Sequence, residues 1–246
     1  MKKALLFVIF ALLSLSVNAQ FLNTGGDIDH ERLNFGFLLG IDRGSFVVAK
    51  QSDFSIPGSN PYTPNDTLQA IKPLGSMGFS LGLLANLNLS KNFDLRFTPK
   101  FSFIDRQLEF EYNKASDRKV YNKKVESTFL ELPLLLKFKS DRQRDVRMYI
   151  IGGIKFVTDI RSKKKKNDDS DFNPDDDRKL VKINNSFFAV EAGIGADIYL
   201  EYFKFSPEFK LSRSMTNVMK KGDDNLFTRP LAGLFAEAFH FTMYFE

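Results

Sequence analysis

The stretch MGFSLGLLANLNL, residues 77–89, decides the fold. Met77, Phe79, Leu81, Leu83, Ala85, Leu87 and Leu89 form one face of an extended chain, and Gly78, Ser80, Gly82, Leu84, Asn86 and Asn88 form the other. A period of two sustained this long is a strand signal with an apolar face, not a helical stripe. Working outward, the same alternation recurs in seven more segments. Leu33, Phe35, Phe37, Leu39 and Ile41 carry it upstream. Downstream it is carried by Phe93 to Phe103, by Leu130 to Phe138, by Val146 to Phe156, by Phe188 to Ile198 and by Phe203 to Leu211. The last segment runs from Leu231 to Phe245, with Phe239, Phe241, Met243 and Phe245 on one face. There Glu237 interrupts the apolar face, which predicts either a bulge near Glu237 and Ala238 or a weaker upper half of the segment. Pro99, Pro133 and Pro207 fall inside segments, where a missing N–H argues for local bulges.

The spacers alternate in length. Residues 90–92, 140–145 and 201–202 are tight turns, whereas residues 43–74, 113–123, 161–182 and 212–229 are long and polar. Four long loops therefore leave one end of the sheet, and three turns with both termini occupy the other. That asymmetry predicts an all-β, eight-stranded antiparallel transmembrane barrel with four long extracellular loops and both termini periplasmic. Alternation alone does not say which face is outside, because a soluble barrel has the same period with the opposite orientation. Volume decides. An eight-stranded barrel has an interior only just wide enough for side chains to fill, too narrow for the Phe- and Leu-rich face, while the Gly, Ser, Asn and charged face suits a packed lumen. Ten residues at ~3.3 Å each, tilted ~45°, rise about 23 Å, close to the ~25 Å apolar band of such barrels. The apolar face is expected against lipid.

The N-terminus reads as an export signal. Lys2 and Lys3 precede an apolar run over residues 4–15, and Val17 and Ala19 supply small residues before a cleavage point at Gln20. The run is too short to span a bilayer as a helix. Residues 1–19 are thus expected to be removed, leaving residues 20–246 as one barrel domain. Removal of Lys2 and Lys3 lowers the formal charge from +5 to +3, a mild excess and not a nucleic-acid footprint. The absence of cysteine excludes disulfide scaffolds, thiol nucleophiles, cysteine-ligated metals and a cysteine-borne lipid anchor.

With the apolar face outward, the charges on the other face are buried and must pair, since an isolated charge in a dry lumen is costly. Lys100, Glu131, Lys155, Glu191 and Lys210 lie at similar heights on successive segments and alternate in sign. They are expected to form a salt-bridged ring that plugs the lumen, with Glu131 and Lys155 in direct contact.

Elsewhere the chemistry is sparse. The third loop carries Lys163 to Lys166 and then Asp168, Asp169, Asp171, Asp175, Asp176 and Asp177. Residues 169–175 resemble the start of a calcium loop, but Pro174 replaces the glycine and Leu180 the distal glutamate, so a solvated charge run is expected and no metal. The first loop, with Pro57, Pro61, Tyr62 and Pro64, is the best surface for a protein partner. His30 and His240 are the two histidines, His240 facing inward as a satisfied lumen residue. Asp53, Asp66, Ser214 and Asp223 are scattered and form no constellation of base, nucleophile and acid. No catalytic residue, cofactor, small-molecule substrate or nucleic acid is expected.

Two blocks carry a family resemblance. One is LNFGFLLG, residues 33–40, followed by Ser52, Asp53 and Phe54. The other is FLELPLLLKF, residues 129–138, followed by RMYIIGG, residues 147–153. Together they resemble PorT-type proteins, and the second block also resembles small outer-membrane barrels of the same bacterial group more widely. The PorT resemblance covers essentially the whole mature chain. It implies an integral outer-membrane component associated with type IX secretion, which exports signal-bearing proteases and adhesins and in related bacteria supports gliding. It further implies partners among other outer-membrane or periplasmic secretion proteins and the outer-membrane lipid. It implies no motif-defined catalytic residues. The barrel is too narrow to pass a folded protein, so an assembly or docking role is expected and not that of the conduit.

Overall fold

The structure, a computed structural model, describes residues 31–51, 67–114, 117–125, 128–160, 183–220 and 230–246. The expected signal (residues 1–19), His30, the proline-rich part of the first loop and the Lys/Asp run of the third lie outside the described residues.

Twelve strands are described: β1 Leu33–Lys50, β2 Thr67–Leu74, β3 Ser76–Asn88, β4 Phe93–Phe97, β5 Lys100–Phe103, β6 Arg106–Lys114, β7 Asp117–Val125, β8 Thr128–Lys139, β9 Val146–Asp159, β10 Ser186–Tyr199, β11 Lys204–Ser214 and β12 Leu231–Phe245. β1 pairs with both β3 and β12, and every other barrel neighbour follows in sequence, so the sheet closes on itself. β4 and β5 are two halves of one stave between β3 and β8. The result is a ring of eight antiparallel staves, as the alternation predicts.

The prolines enter this ring without bulges. Phe97 pairs with Leu134 and Lys100 with Glu131, so the register is the same on both sides of the gap at Thr98 and Pro99. Pro133 sits in that same gap on β8, so one interruption serves two prolines. Their carbonyls remain in use: Leu83 N donates to Pro99 O at 2.9 Å and Thr98 N to Pro133 O at 3.3 Å. Pro207 likewise falls where the β10–β11 ladder skips from Gly195–Glu208 to Ile198–Phe205 without a shift. Nor does β12 bulge at Glu237. Its register with β1 and β11 is continuous through Glu237 and Ala238, and the one shift lies at Ala49 and Lys50.

Glu237 interrupts the pattern because the surroundings change while the backbone continues. Over most of each stave the outward residues are apolar and exposed, Phe35 to 68%, while the inward ones are polar and buried. Outward rings stack across strands, Phe37 on Phe245 at 4.9 Å and Phe79 on Phe103 at 4.7 Å between centroids. Towards the long-loop end the two faces exchange character. Phe46, Phe129, Val157, Phe187, Leu234 and Ala236 point inward and are buried. Arg43, Ser45, Thr158, Ser186, Arg213 and Glu237 point outward. This is the polarity of a soluble protein, so the barrel wall continues beyond the apolar band.

Two regions read as loops are partly strands. β1 extends to Lys50, and β2, β6 and β7 make a separate three-stranded sheet in the order β2-β6-β7. Leu68, Ile71, Leu108 and Phe110 of this sheet are buried against Phe46, Phe129 and Phe187. Val218 joins them, its N–H donating to Leu234 O at 2.8 Å. An apolar cap therefore covers the loop end of the lumen.

Candidate functional site

Beneath the cap the lumen is filled with paired charges. The five residues singled out above lie in one line of contacts: Lys100–Glu131 3.5 Å, Glu131–Lys155 2.9 Å, Lys155–Glu191 3.2 Å and Glu191–Lys210 3.0 Å. Only Lys100 and Glu131 are directly opposite in register. Lys155 is opposite Pro133 and Lys210 opposite Gly193, each two residues from its partner, so the line runs diagonally as the staves tilt. Diagonal neighbours remain within reach of long side chains. Every member is at most 3% exposed at the side chain.

The line is part of a larger network. Lys210 continues to Glu208 at 2.7 Å, and Glu208 to Arg96 at 3.1 Å. Tyr149 and Tyr244 hydroxyls donate to Glu208 at 2.8 and 2.9 Å. The Arg96 guanidinium lies over the Tyr244 ring at 4.8 Å. Nearer the turn end, Lys137 meets Asp197 at 2.6 Å, Lys139 meets Asp94 at 2.6 Å and Lys204 meets Glu246 at 2.9 Å. All these residues have inward parity and were legible as such, but parity alone does not give partners across the lumen.

Two glycines make room for this filling. A Cβ on Gly195 would lie 2.4 Å from the Tyr149 ring, and one on Gly193 2.5 Å from the Lys210 stem. Small residues facing large ones are how a narrow barrel is packed.

His240 is the branch point. Its Nδ1 contacts Asp42 Oδ1 at 2.5 Å, and its Nε2 faces Ser212 Oγ at 2.9 Å and Lys155 Nζ at 3.2 Å. With Nδ1–H donated to Asp42, Nε2 is an acceptor. The Asp42, His240 and Ser212 connectivity is that of a nucleophile relay. Here the Lys155 ammonium shares Nε2, and the three residues are buried at 0%, 0% and 5% exposure, so the chain of bonds ties β1, β12 and β11 together. Ligand atoms of Glu131, Glu191 and His240 also lie within 4.8 Å of one another, a spacing that suits a metal. Lys155 Nζ stands among all three and supplies the positive charge itself. Of the scattered residues, Ser214 points inward and among the described residues donates to no acid or base; its Oγ accepts from Ala236 N at 3.0 Å. Asp53, Asp66 and Asp223 lie outside the described residues.

The arrangement is a plug: ion pairs across the bore, tyrosines and Arg96 filling the space between, and a hydrophobic lid. At the turn end a surface pair, Lys91–Asp141 at 2.9 Å, joins two short turns, and the lysine's hydrogen bond lowers the Asp141 pKa.

No curated protein matches this chain. Among solved structures, the outer membrane protein OprG from Pseudomonas aeruginosa is similar at 10% identity, over 85% of this chain and 92% of that one, with a TM-score of 0.40. Residues 18–220 match the family described as outer membrane protein beta-barrel domain. This is most of the sequence, and the chain belongs to that family of outer-membrane barrels.

Proposed function

We propose that this barrel is a non-enzymatic, non-conducting component of type IX secretion, acting as an assembly or docking factor beside the conduit. The observation that carries the docking half is the filled lumen. A bore crossed by the Lys100, Glu131, Lys155, Glu191 and Lys210 contacts and covered by Leu108, Phe110 and Phe129 leaves the loops, turns and outer wall as working surfaces. The secretion half is supported by the PorT-like blocks at residues 33–40 and 129–138. The start of β1 at Leu33, the end of β12 at Phe245 and the short turns share one end of the ring, which supports a periplasmic position for that end and an extracellular one for the four long connections. The partners are other outer-membrane or periplasmic secretion proteins, held through loops and turns, together with the surrounding lipid.

Deleting the gene tests this. Export of signal-bearing proteases and adhesins should fall, and gliding with it where the host glides, both restored by the full chain. Normal export in the deletion strain would sink the secretion role. The second reading, a general small barrel for adhesion or envelope anchoring, is supported by the resemblance of the LELPLL stretch, residues 130–135, to small outer-membrane barrels more widely. It predicts normal export with altered adhesion or detergent sensitivity.

A further inference from the structure

Outward charge borders the apolar band on β1, β11 and β12, and among the described residues its pairing there is incomplete. Ser45 of β1, Glu237 of β12 and Arg213 of β11 are direct cross-strand neighbours on the outward face, and Arg43 lies one pleat nearer the band, opposite Phe239. Among the described residues no ion pair within 4.0 Å joins Glu237 to either arginine. Arg213 instead turns its guanidinium over the Phe235 ring, 5.8 Å away. Arg43 lies against Gly75, where a Cβ would come within 2.8 Å of its Nε. Beside Arg43 is a cleft of about 240 Å³ whose lining includes Ser45, Pro73, Gly75, Glu237 and Phe239 but not Arg213.

The cleft has the chemistry of a headgroup site. Its floor continues into the lipid-facing surface through Phe239, Ile41 and Phe79, which are 43%, 49% and 56% exposed. Arg43 offers a planar fork of donors of the kind that holds phosphate oxygens. A carboxylate in the same cleft repels a ligand that is only anionic, and it accepts from an ammonium group. A ligand bearing both charges meets both side chains.

We propose that this cleft binds the phosphoethanolamine headgroup of a membrane lipid. The phosphate sits on Arg43, the ammonium on Glu237, and the acyl chains run down over Phe239 and Ile41. Two lipid classes carry that headgroup, glycerophospholipids and ethanolamine-modified lipid A, and the site recognises what they share. The inference rests on the membrane setting of the barrel and not on the secretion role.

The full chain, folded in detergent and checked by heat-dependent gel migration, is mixed with equimolar phosphatidylethanolamine, phosphatidylglycerol and phosphatidylcholine, and retained lipid is counted by native mass spectrometry. Phosphatidylethanolamine should be retained about five-fold over either competitor, the ratio that a single charge-assisted contact supplies. Glu237→Gln should erase the preference over phosphatidylglycerol, and Arg43→Gln should lower retention of all three. Both side chains are outside the packed lumen, so both variants should keep the gel shift. A second arm compares lipid A with and without phosphoethanolamine; preferential retention there identifies the glycolipid as a source. Equal retention of the three phospholipids, preference for phosphatidylglycerol, or a preference unchanged by Glu237→Gln overturns the site. A wild-type chain without the gel shift overturns the barrel and the cleft together.

Discussion

Lys155 shows most clearly why buried charge here is a structural commitment. Its ammonium is 2.9 Å from Glu131, 3.2 Å from Glu191 and 3.2 Å from the His240 ring. Lys155→Met leaves two carboxylates without their shared cation, a loss expected to cost about 3–5 kcal/mol. Denaturant unfolding in micelles measures it. The combined Glu131→Gln and Lys155→Met variant should be more stable than Lys155→Met alone, because it removes one charge of each sign and leaves Glu191 with Lys210 at 3.0 Å. If the single variant unfolds like the wild type, the network is not formed. Gly195→Ala tests the filling from the other side: a methyl 2.4 Å from the Tyr149 ring should cost about 1–3 kcal/mol by overpacking, read in the same unfolding curves. At this scale the sequence shows which residues face inward. It shows the Glu131 and Lys155 pair, which meets at 2.9 Å, but not the reach of Arg96 to Glu208 or of Lys137 to Asp197, whose partners are far apart in sequence and meet only across the closed bore.

At the scale of the strand, parity holds across the exchange of faces while its meaning reverses. In β12 the even residues from Leu234 to Tyr244 face inward, polar at His240 and Thr242, apolar at Leu234 and Ala236. Read with one environment in mind, Glu237 looks like a register error. With lipid outside one part of the stave and water outside the rest, it needs no bulge. The cost of an outward charge should therefore depend on height. Ile194→Arg, near the middle of β10, should lose about 2–4 kcal/mol, whereas Ser186→Arg at the loop end of the same strand should lose about 0–1 kcal/mol. Refolding yield and unfolding free energy in lipid vesicles separate the two. Equal penalties would mean that the apolar band does not end where the polarity exchanges. Residues 106–114 were not read as a strand, although Leu108 and Phe110 alternate with Gln107, Glu109 and Glu111 there. Nor was their pairing with β2 legible, because that contact joins residues about forty positions apart.

For the whole molecule, closure and filling are linked. Eight staves set a bore too narrow for water and large side chains together, so the inward charges must neutralise one another or prevent folding. The purified barrel should accordingly give no stepwise conductance in planar bilayers, and reproducible single-channel steps would contradict a sealed lumen. It should also migrate differently on gels before and after boiling, since the closed ladder resists detergent until heated. The sequence by itself determined the strand period, the eight staves, the end from which the long connections leave and the face that meets lipid. These follow from local alternation and from the volume of the side chains. Tertiary structure alone decided which charges meet across the bore, how the prolines share a gap, and that loop segments cap the lumen. Those outcomes depend on tilt and closure, which bring together side chains that no local pattern relates.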